Sequence, residues 1–152
     1  RNRSITFMEI VSADPPVSQD KIEVLLTEFD AEFDPHLSKR VNMKDYAKKL
    51  AQNAVWFFVY EQDVMIAHCA VYMNQAEGAF ISSIAVKREA RGRGIGGRLW
   101  ECVEREARQR GVCRILLRVL KTNVSGVLFY KKRACGVLED DGGWFLMGKE
   151  LE

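Results

Sequence analysis

Apolar residues recur along this chain with two periods, and the switches between them outline its elements. Residues 4–11 alternate apolar and polar side chains, the signature of a half-buried strand. After the break Asp14-Pro15-Pro16, apolar positions fall at Ile22, Leu25, Leu26 and Phe29, a helical stripe that Ser18 is placed to cap. Asp34-Pro35 is expected to end or kink that helix. Asn42 with Asp45 opens a second, short helix carrying Met43, Tyr46, Ala47 and Leu50 on one face. Residues 54–60 and 64–73 read as strands joined by the tight turn Glu61-Gln62-Asp63, and the second, apolar on both faces, is expected inside the sheet. Residues 80–86 form another buried strand. A helix from Gly94 to Arg110 then places Ile95, Leu99, Val103 and Ala107 on one side and charges on the other, with Gly111 as its stop. Residues 112–120 read as a strand and 123–132 as a short helix. Residues 135–139 and 144–149 flank Asp140-Asp141-Gly142-Gly143 as a hairpin.

The order is thus β-α-α-β-β-β-α-β-α-β-β. Antiparallel hairpins precede one βαβ crossover, and a terminal hairpin closes the sheet. This is a mixed α/β (α+β) architecture, not a regular doubly wound repeat. At 152 residues, with no repeat, low-complexity segment or linker, a single domain over 1–152 is expected, large enough to bury a full core.

Composition narrows the class. Apolar residues make up 47% and charged residues 29%, which fits a soluble globular protein and not a disordered one. The longest apolar run, residues 54–60, is too short to span a bilayer, and no charged-then-apolar leader opens the sequence. Cys69, Cys102, Cys113 and Cys135 form no C-x-x-C pair and have no histidine at ligand spacing. Four reduced core thiols, no metal site, no membrane partner and a cytoplasmic location are therefore expected. A net charge of +2 supplies no general field for nucleic acid, so no nucleic-acid partner is expected. The charge is uneven, however. Residues 20–34 carry Asp20, Glu23, Glu28, Asp30, Glu32 and Asp34 against Lys21 alone, and residues 87–98 carry Lys87, Arg88, Arg91, Arg93 and Arg98 against Glu89 alone.

The basic stretch contains the candidate chemistry. Arg91-Gly92-Arg93-Gly94-Ile95-Gly96-Gly97-Arg98 lies between a buried strand and a helix start. Glycines leave backbone amides unshielded, the helix start adds unpaired N–H groups and a positive dipole end, and the arginines add mobile cations. Together these make a phosphate cradle. Gly92-x-Gly94-x-x-Gly97 also fits the dinucleotide fingerprint, but that fold needs an acidic residue at the end of the next strand. Here the strand ends Leu117-Arg118-Val119-Leu120-Lys121, without a carboxylate. The Gly-Lys-Ser/Thr of a Walker A loop is absent as well.

Ile84-Ala85-Val86 followed by Arg91-Gly92-Arg93-Gly94-Ile95-Gly96, and then Asn123, Phe129-Tyr130 and Gly136-Val137, resembles the two motifs of the GCN5-related N-acetyltransferases (GNAT), at the family's usual separation. The element order agrees over the whole chain. The resemblance implies a central, mixed, mostly antiparallel sheet of about seven strands flanked by four helices. It implies acetyl-CoA as cofactor, its pyrophosphate on the amides of Gly92, Arg93, Gly94, Ile95, Gly96 and Gly97 beside Arg91 and Arg98. Ile84, Ala85 and Val86 would pair with the pantetheine arm as an edge strand pairs with a peptide. Tyr130 would be the general acid that protonates the leaving thiolate, since a phenol with an ordinary pKa near 10 keeps its proton at neutral pH. Asn123 would hold the cofactor arm or cap its helix, with Phe129 beside Tyr130.

One departure from the family stands out. Many members place a glutamate on the fourth or fifth strand as base, whereas this chain has Phe80, Ser82 and Ser83 on the fourth and Arg118 on the fifth. His68 is one candidate base, although a histidine in an apolar strand is also a natural hydrogen-bonded core residue. Ser82 or Ser83 relaying to water, or Asp30, Glu32 or Asp34 from the loop after the first helix, are others. Positioning alone is a further route. The family selects its acceptor with the first two helices and their connecting loop, here residues 28–42 with Asp30, Glu32, Asp34, His36, Lys39 and Arg40. The acidic cluster suits a cationic amine, while Lys39 and Arg40 suit an acceptor carrying phosphate or carboxylate. The expected activity is acetyl transfer to a small soluble amine such as an amino sugar, amino acid or polyamine, by a monomer or homodimer. The alternatives are a protein N-terminal or lysine acetyltransferase and a non-catalytic acyl-CoA-binding module.

Overall fold

The computed structural model describes residues 8–152. The first strand, β1, is Met8–Ala13; the expected residues 4–7 lie outside the described part. Helix α1 runs Gln19–Glu28 and is capped as expected, Ser18 Oγ accepting from the Lys21 N–H at 3.3 Å. Its apolar stripe is buried, with Ile22, Leu25, Leu26 and Phe29 all at most 4% exposed. The helix stops six residues before Asp34-Pro35, so the proline pair is not its terminator. Phe29 closes it instead, and the chain continues through two 3₁₀ turns, Asp30–Glu32 and Leu37–Lys39. Asp30 staples the two turns by accepting from both the backbone N–H and the hydroxyl of Ser38, at 2.7 and 2.8 Å. Helix α2, Met43–Asn53, starts at Asn42, whose Oδ1 accepts from the Asp45 N–H at 3.0 Å.

Strands β2 (Ala54–Glu61) and β3 (Val64–Tyr72) are joined by Gln62 and Asp63, both at positive φ (51° and 67°). That is the two-residue geometry whose twist matches an antiparallel pair. Strand β4 is Ala79–Val86; a 3₁₀ turn at Arg88–Ala90 precedes the glycine segment, and α3 spans Ile95–Gln109. At the end of α3 the Gly111 N–H reaches the Arg108 carbonyl and the Val112 N–H the Ala107 carbonyl, the paired bonds of a Schellman stop. Strand β5 (Arg114–Leu120), helix α4 (Val124–Lys132), and strands β6 (Gly136–Asp140) and β7 (Trp144–Glu150) complete the chain.

Among the described residues the sheet has seven strands in the order β1-β2-β3-β4-β5-β7-β6. β1 and β2 are antiparallel from Met8↔Glu61 to Ala13↔Trp56. β4 and β5 are parallel over Ala79↔Ile115, Phe80↔Leu116 and Ile81↔Leu117, the single crossover that the element order required. β7 runs antiparallel to β5 and carries β6 on its far side, with a bulge between Val137 and Glu139. The chain divides into two compact units. One is made of residues up to Ala70 with Ser83–Trp100, the other of Val71–Ser82 with Glu101–Glu152. In the first, Leu26, Leu50, Trp56, Val59 and Leu99 are fully buried, and Trp56 Nε1 donates to the Leu50 carbonyl. In the second, Val103, Ala107, Ile115, Leu117 and Met147 are. Each of the Leu, Val, Ile and Met side chains among them contributes about 1.5–3 kcal/mol by leaving water.

Candidate functional site

The segment between β4 and α3 takes its shape from two glycines. Gly92 (φ +78°) and Gly94 (φ +79°) sit in the left-handed region, where an L side chain costs about 1–2 kcal/mol. A Cβ placed on either would meet no protein atom within 4 Å. The open space above both backbones is what a closely approaching ligand needs. Past the turn, the first intrahelical bond of α3 runs from the Arg98 N–H to the Gly94 carbonyl at 3.1 Å. The amides of Ile95, Gly96 and Gly97 fall in the first turn, where an α-helix offers donors without intrahelical acceptors. With the positive end of a fifteen-residue helix behind them, they suit an anion.

The arginines of the turn differ from the mobile cations that the sequence suggested. Arg91 Nη2 donates to Glu32 Oε1 at 3.0 Å and to the Glu32 carbonyl at 3.3 Å, and Arg91 Nε donates to the Val86 carbonyl. Arg93 donates through both terminal nitrogens to the two carboxylate oxygens of Glu61. Arg98 is exposed on α3. Ile84 and Val86 are half-buried on β4 while Ala85, between them, is buried.

His68 on β3 is fully enclosed. Its Nε2 lies 2.8 Å from the hydroxyl of buried Ser83, and Nδ1 has no hydrogen-bond partner. The ring is packed by Phe29, Trp56 and Phe33, at centroid distances of 4.7, 5.6 and 6.3 Å. Burial pushes its pKa from 6.5 down to about 3, so the imidazole is neutral at physiological pH. An N–H without an acceptor costs more in such a box than a bare lone pair, which favours the proton on Nε2, donating to Ser83. Ser82, the neighbouring residue on β4, is half-buried.

The three acidic candidates separate. Asp30 is committed to Ser38, whose backbone and side-chain donors hold its carboxyl below the usual carboxylate range. Glu32 is committed to Arg91. Asp34 is exposed. In the second unit, Asn123 caps α4, its Oδ1 accepting from the Gly126 N–H at 3.0 Å. A Cβ on Gly126 would lie 2.5 Å from the Asn123 amide nitrogen, so a side chain there would have to displace the capping group. Tyr130 is 8% exposed and meets the half-buried ring of Phe129 edge-on at 5.2 Å. Sequence reasoning missed Glu61. It sits at a strand end with no motif around it, and only the hairpin geometry brings it to Arg93.

Comparison with known proteins gives a consistent picture. Residues 20–137 match the model of the "Acetyltransferase (GNAT) family". No curated protein sequence matches the chain. Among solved structures, the chain is similar to the PaiA N-acetyltransferase of Thermoplasma acidophilum in complex with coenzyme A (17% identity, 95% of this chain and 99% of that one, TM-score 0.73). It is also similar to the ribosomal-protein-S18-alanine N-acetyltransferase of Escherichia coli (17%, 96% and 95%, TM-score 0.74). A third is a GNAT family acetyltransferase of Elizabethkingia anophelis with acetyl-CoA bound (16%, 95% and 98%, TM-score 0.70). At these identities the likeness establishes a shared fold.

Proposed function

This chain belongs to the GNAT acetyltransferase family, and from that membership we propose that it transfers the acetyl group of acetyl-CoA to a primary amine, by direct attack within a ternary complex. The observation that carries the reading is the Gly92–Gly94 turn, whose two left-handed glycines leave open space at the N-terminus of α3. A diphosphate fits such a cradle. The main-chain N–H groups of Gly92 to Gly97 hold it, each charge-assisted hydrogen bond contributing roughly 1.5–3 kcal/mol, and Arg98 adds a nearby cation. The backbone of Ile84, Ala85 and Val86 pairs with the pantetheine arm as an edge strand pairs with a peptide.

When bound, acetyl-CoA supplies an acyl group activated as a thioester. Tyr130 donates the proton that the departing sulfur takes up. Asn123 orders the start of α4 and so the placement of Phe129 and Tyr130 on that helix. His68 serves better as the residue that fixes Ser83 than as the base, because its ring is fully buried among Phe29, Phe33 and Trp56. The amine is brought to reaction chiefly by positioning, which is worth up to ~7–11 kcal/mol of barrier. It attacks as the neutral amine, the proton its nitrogen loses on forming the amide passes to solvent, and Tyr130 regains its own proton from solvent. Asp34, exposed in the loop after α1, contacts the acceptor, whereas Asp30 and Glu32 are engaged within unit one; Ser82 on β4 is the second candidate contact. A small cationic amine is the acceptor that this arrangement favours. The four free cysteines suit a cytoplasmic setting.

The test is release of free thiol from acetyl-CoA with a panel of amino sugars, amino acids, polyamines and N-terminal peptides. Turnover with a small amine is expected. Turnover with peptides alone would move the acceptor to a protein N-terminus or lysine. Binding of coenzyme A without any turnover would leave a non-catalytic acyl-CoA-binding module.

A further inference from the structure

Two carboxylates from distant parts of the chain reach the glycine turn, and each holds one of its arginines. Glu32, in the 3₁₀ turn after α1, takes Arg91; Glu61, at the end of β2, takes Arg93. The carboxylates are the better buried partners, with side chains 15% and 18% exposed against 48% and 43% for the arginines. Arg91 is tied at three points, since the Val86 and Glu32 carbonyls accept from it as well. Arg93 makes the two-pronged contact that suits the planar guanidinium fork. Gly92 lies between these two anchored residues, and Gly94 follows the second.

We propose that Glu32 and Glu61 are positioning residues for the diphosphate cradle: by latching Arg91 and Arg93 they fix the turn with its main-chain N–H groups presented to the ligand. The inference rests on the reading of this turn as a diphosphate site. A glycine-rich turn loses more backbone freedom on ordering than any other segment. Anchoring the residues on both sides of Gly92 removes much of that freedom before the ligand arrives, and a preorganised loop binds at lower cost. If instead Arg91 and Arg93 swing onto the phosphates, the two carboxylates are competitors. The two arrangements respond to loss of the carboxylates with opposite signs.

Calorimetric titration of coenzyme A into wild type, Glu32→Gln, Glu61→Gln and the double variant decides between them. The latch weakens binding about 2- to 5-fold for each change and about tenfold for both. Binding of pantetheine, which lacks the diphosphate, stays within error of wild type by NMR titration. That control separates cradle ordering from general loosening of the fold. Unchanged or tighter coenzyme A binding in the double variant overturns the latch, as does an equal loss for pantetheine. A wild-type chain that binds no coenzyme A overturns the diphosphate reading, and the latch with it.

Discussion

The Nε2 of His68 and the hydroxyl of Ser83 meet at 2.8 Å inside the first unit, both side chains out of reach of water. Burial keeps the histidine neutral, and the Ser83 contact sets which ring nitrogen carries the proton. An unfolded His68 takes up a proton below about pH 6.5, whereas the folded one, its pKa held at about 3 by burial, does not. Between these values the unfolded chain binds more protons. This residue's contribution to stability is therefore complete above pH 6.5 and is lost as pH falls toward 3. The slope approaches about 1.4 kcal/mol per pH unit. Urea unfolding at a series of pH values measures it. In the wild type the His68 ring resonances should keep their neutral positions down to pH 4, and a midpoint between 6 and 7 would contradict the enclosed geometry.

Tyr130 carries the acid role in the proposed reaction. Tyr130→Phe keeps the ring and its edge-on contact with Phe129, so the fold and the coenzyme A affinity should hold. Turnover should drop by about 10²–10⁴-fold. Steady-state rates alongside calorimetry test this, and full turnover in the variant removes the hydroxyl from the chemistry.

Gly94 separates the demands of conformation from those of space. Gly94→Ala meets no protein atom but must hold φ near +79°. We expect a folded variant, destabilised by about 1–2 kcal/mol, whose coenzyme A affinity falls further than its stability does, because the methyl enters the space left for the ligand. Unchanged affinity in the folded variant would show that nothing approaches that backbone.

Ala134 offers a stabilising change. It ends α4 at φ +69°, with its N–H bonded to the Lys131 carbonyl and the Cys135 N–H to the Tyr130 carbonyl. This is a Schellman stop with alanine where glycine is preferred. The side chain is exposed, so Ala134→Gly gives up no core packing. A gain of about 1 kcal/mol in denaturant unfolding is expected, and a loss would mean that the methyl makes a contact of its own.

Local signals were legible in the residues themselves. The stripe Ile22-Leu25-Leu26-Phe29, the caps Ser18 and Asn42 and the stop after α3 are all written within a few positions of one another, because a helix bonds residues four apart. The element order followed, and with it the parallel crossover between β4 and β5. The Asp34-Pro35 expectation failed for the same local reason. Proline forbids a helix through it but does not oblige one to reach it, and α1 closes at Phe29, five residues before Asp34.

What the chain alone determined was its element sequence, its glycine turn and the family to which those residues belong. What only the tertiary structure decided was which charges remain available. Arg91 and Glu32 are 59 positions apart, and Arg93 and Glu61 are 32 apart. His68 finds Ser83 across 15. No periodicity connects such pairs, since closing a long loop is governed by the packing of everything between its ends rather than by the side chains that finally meet.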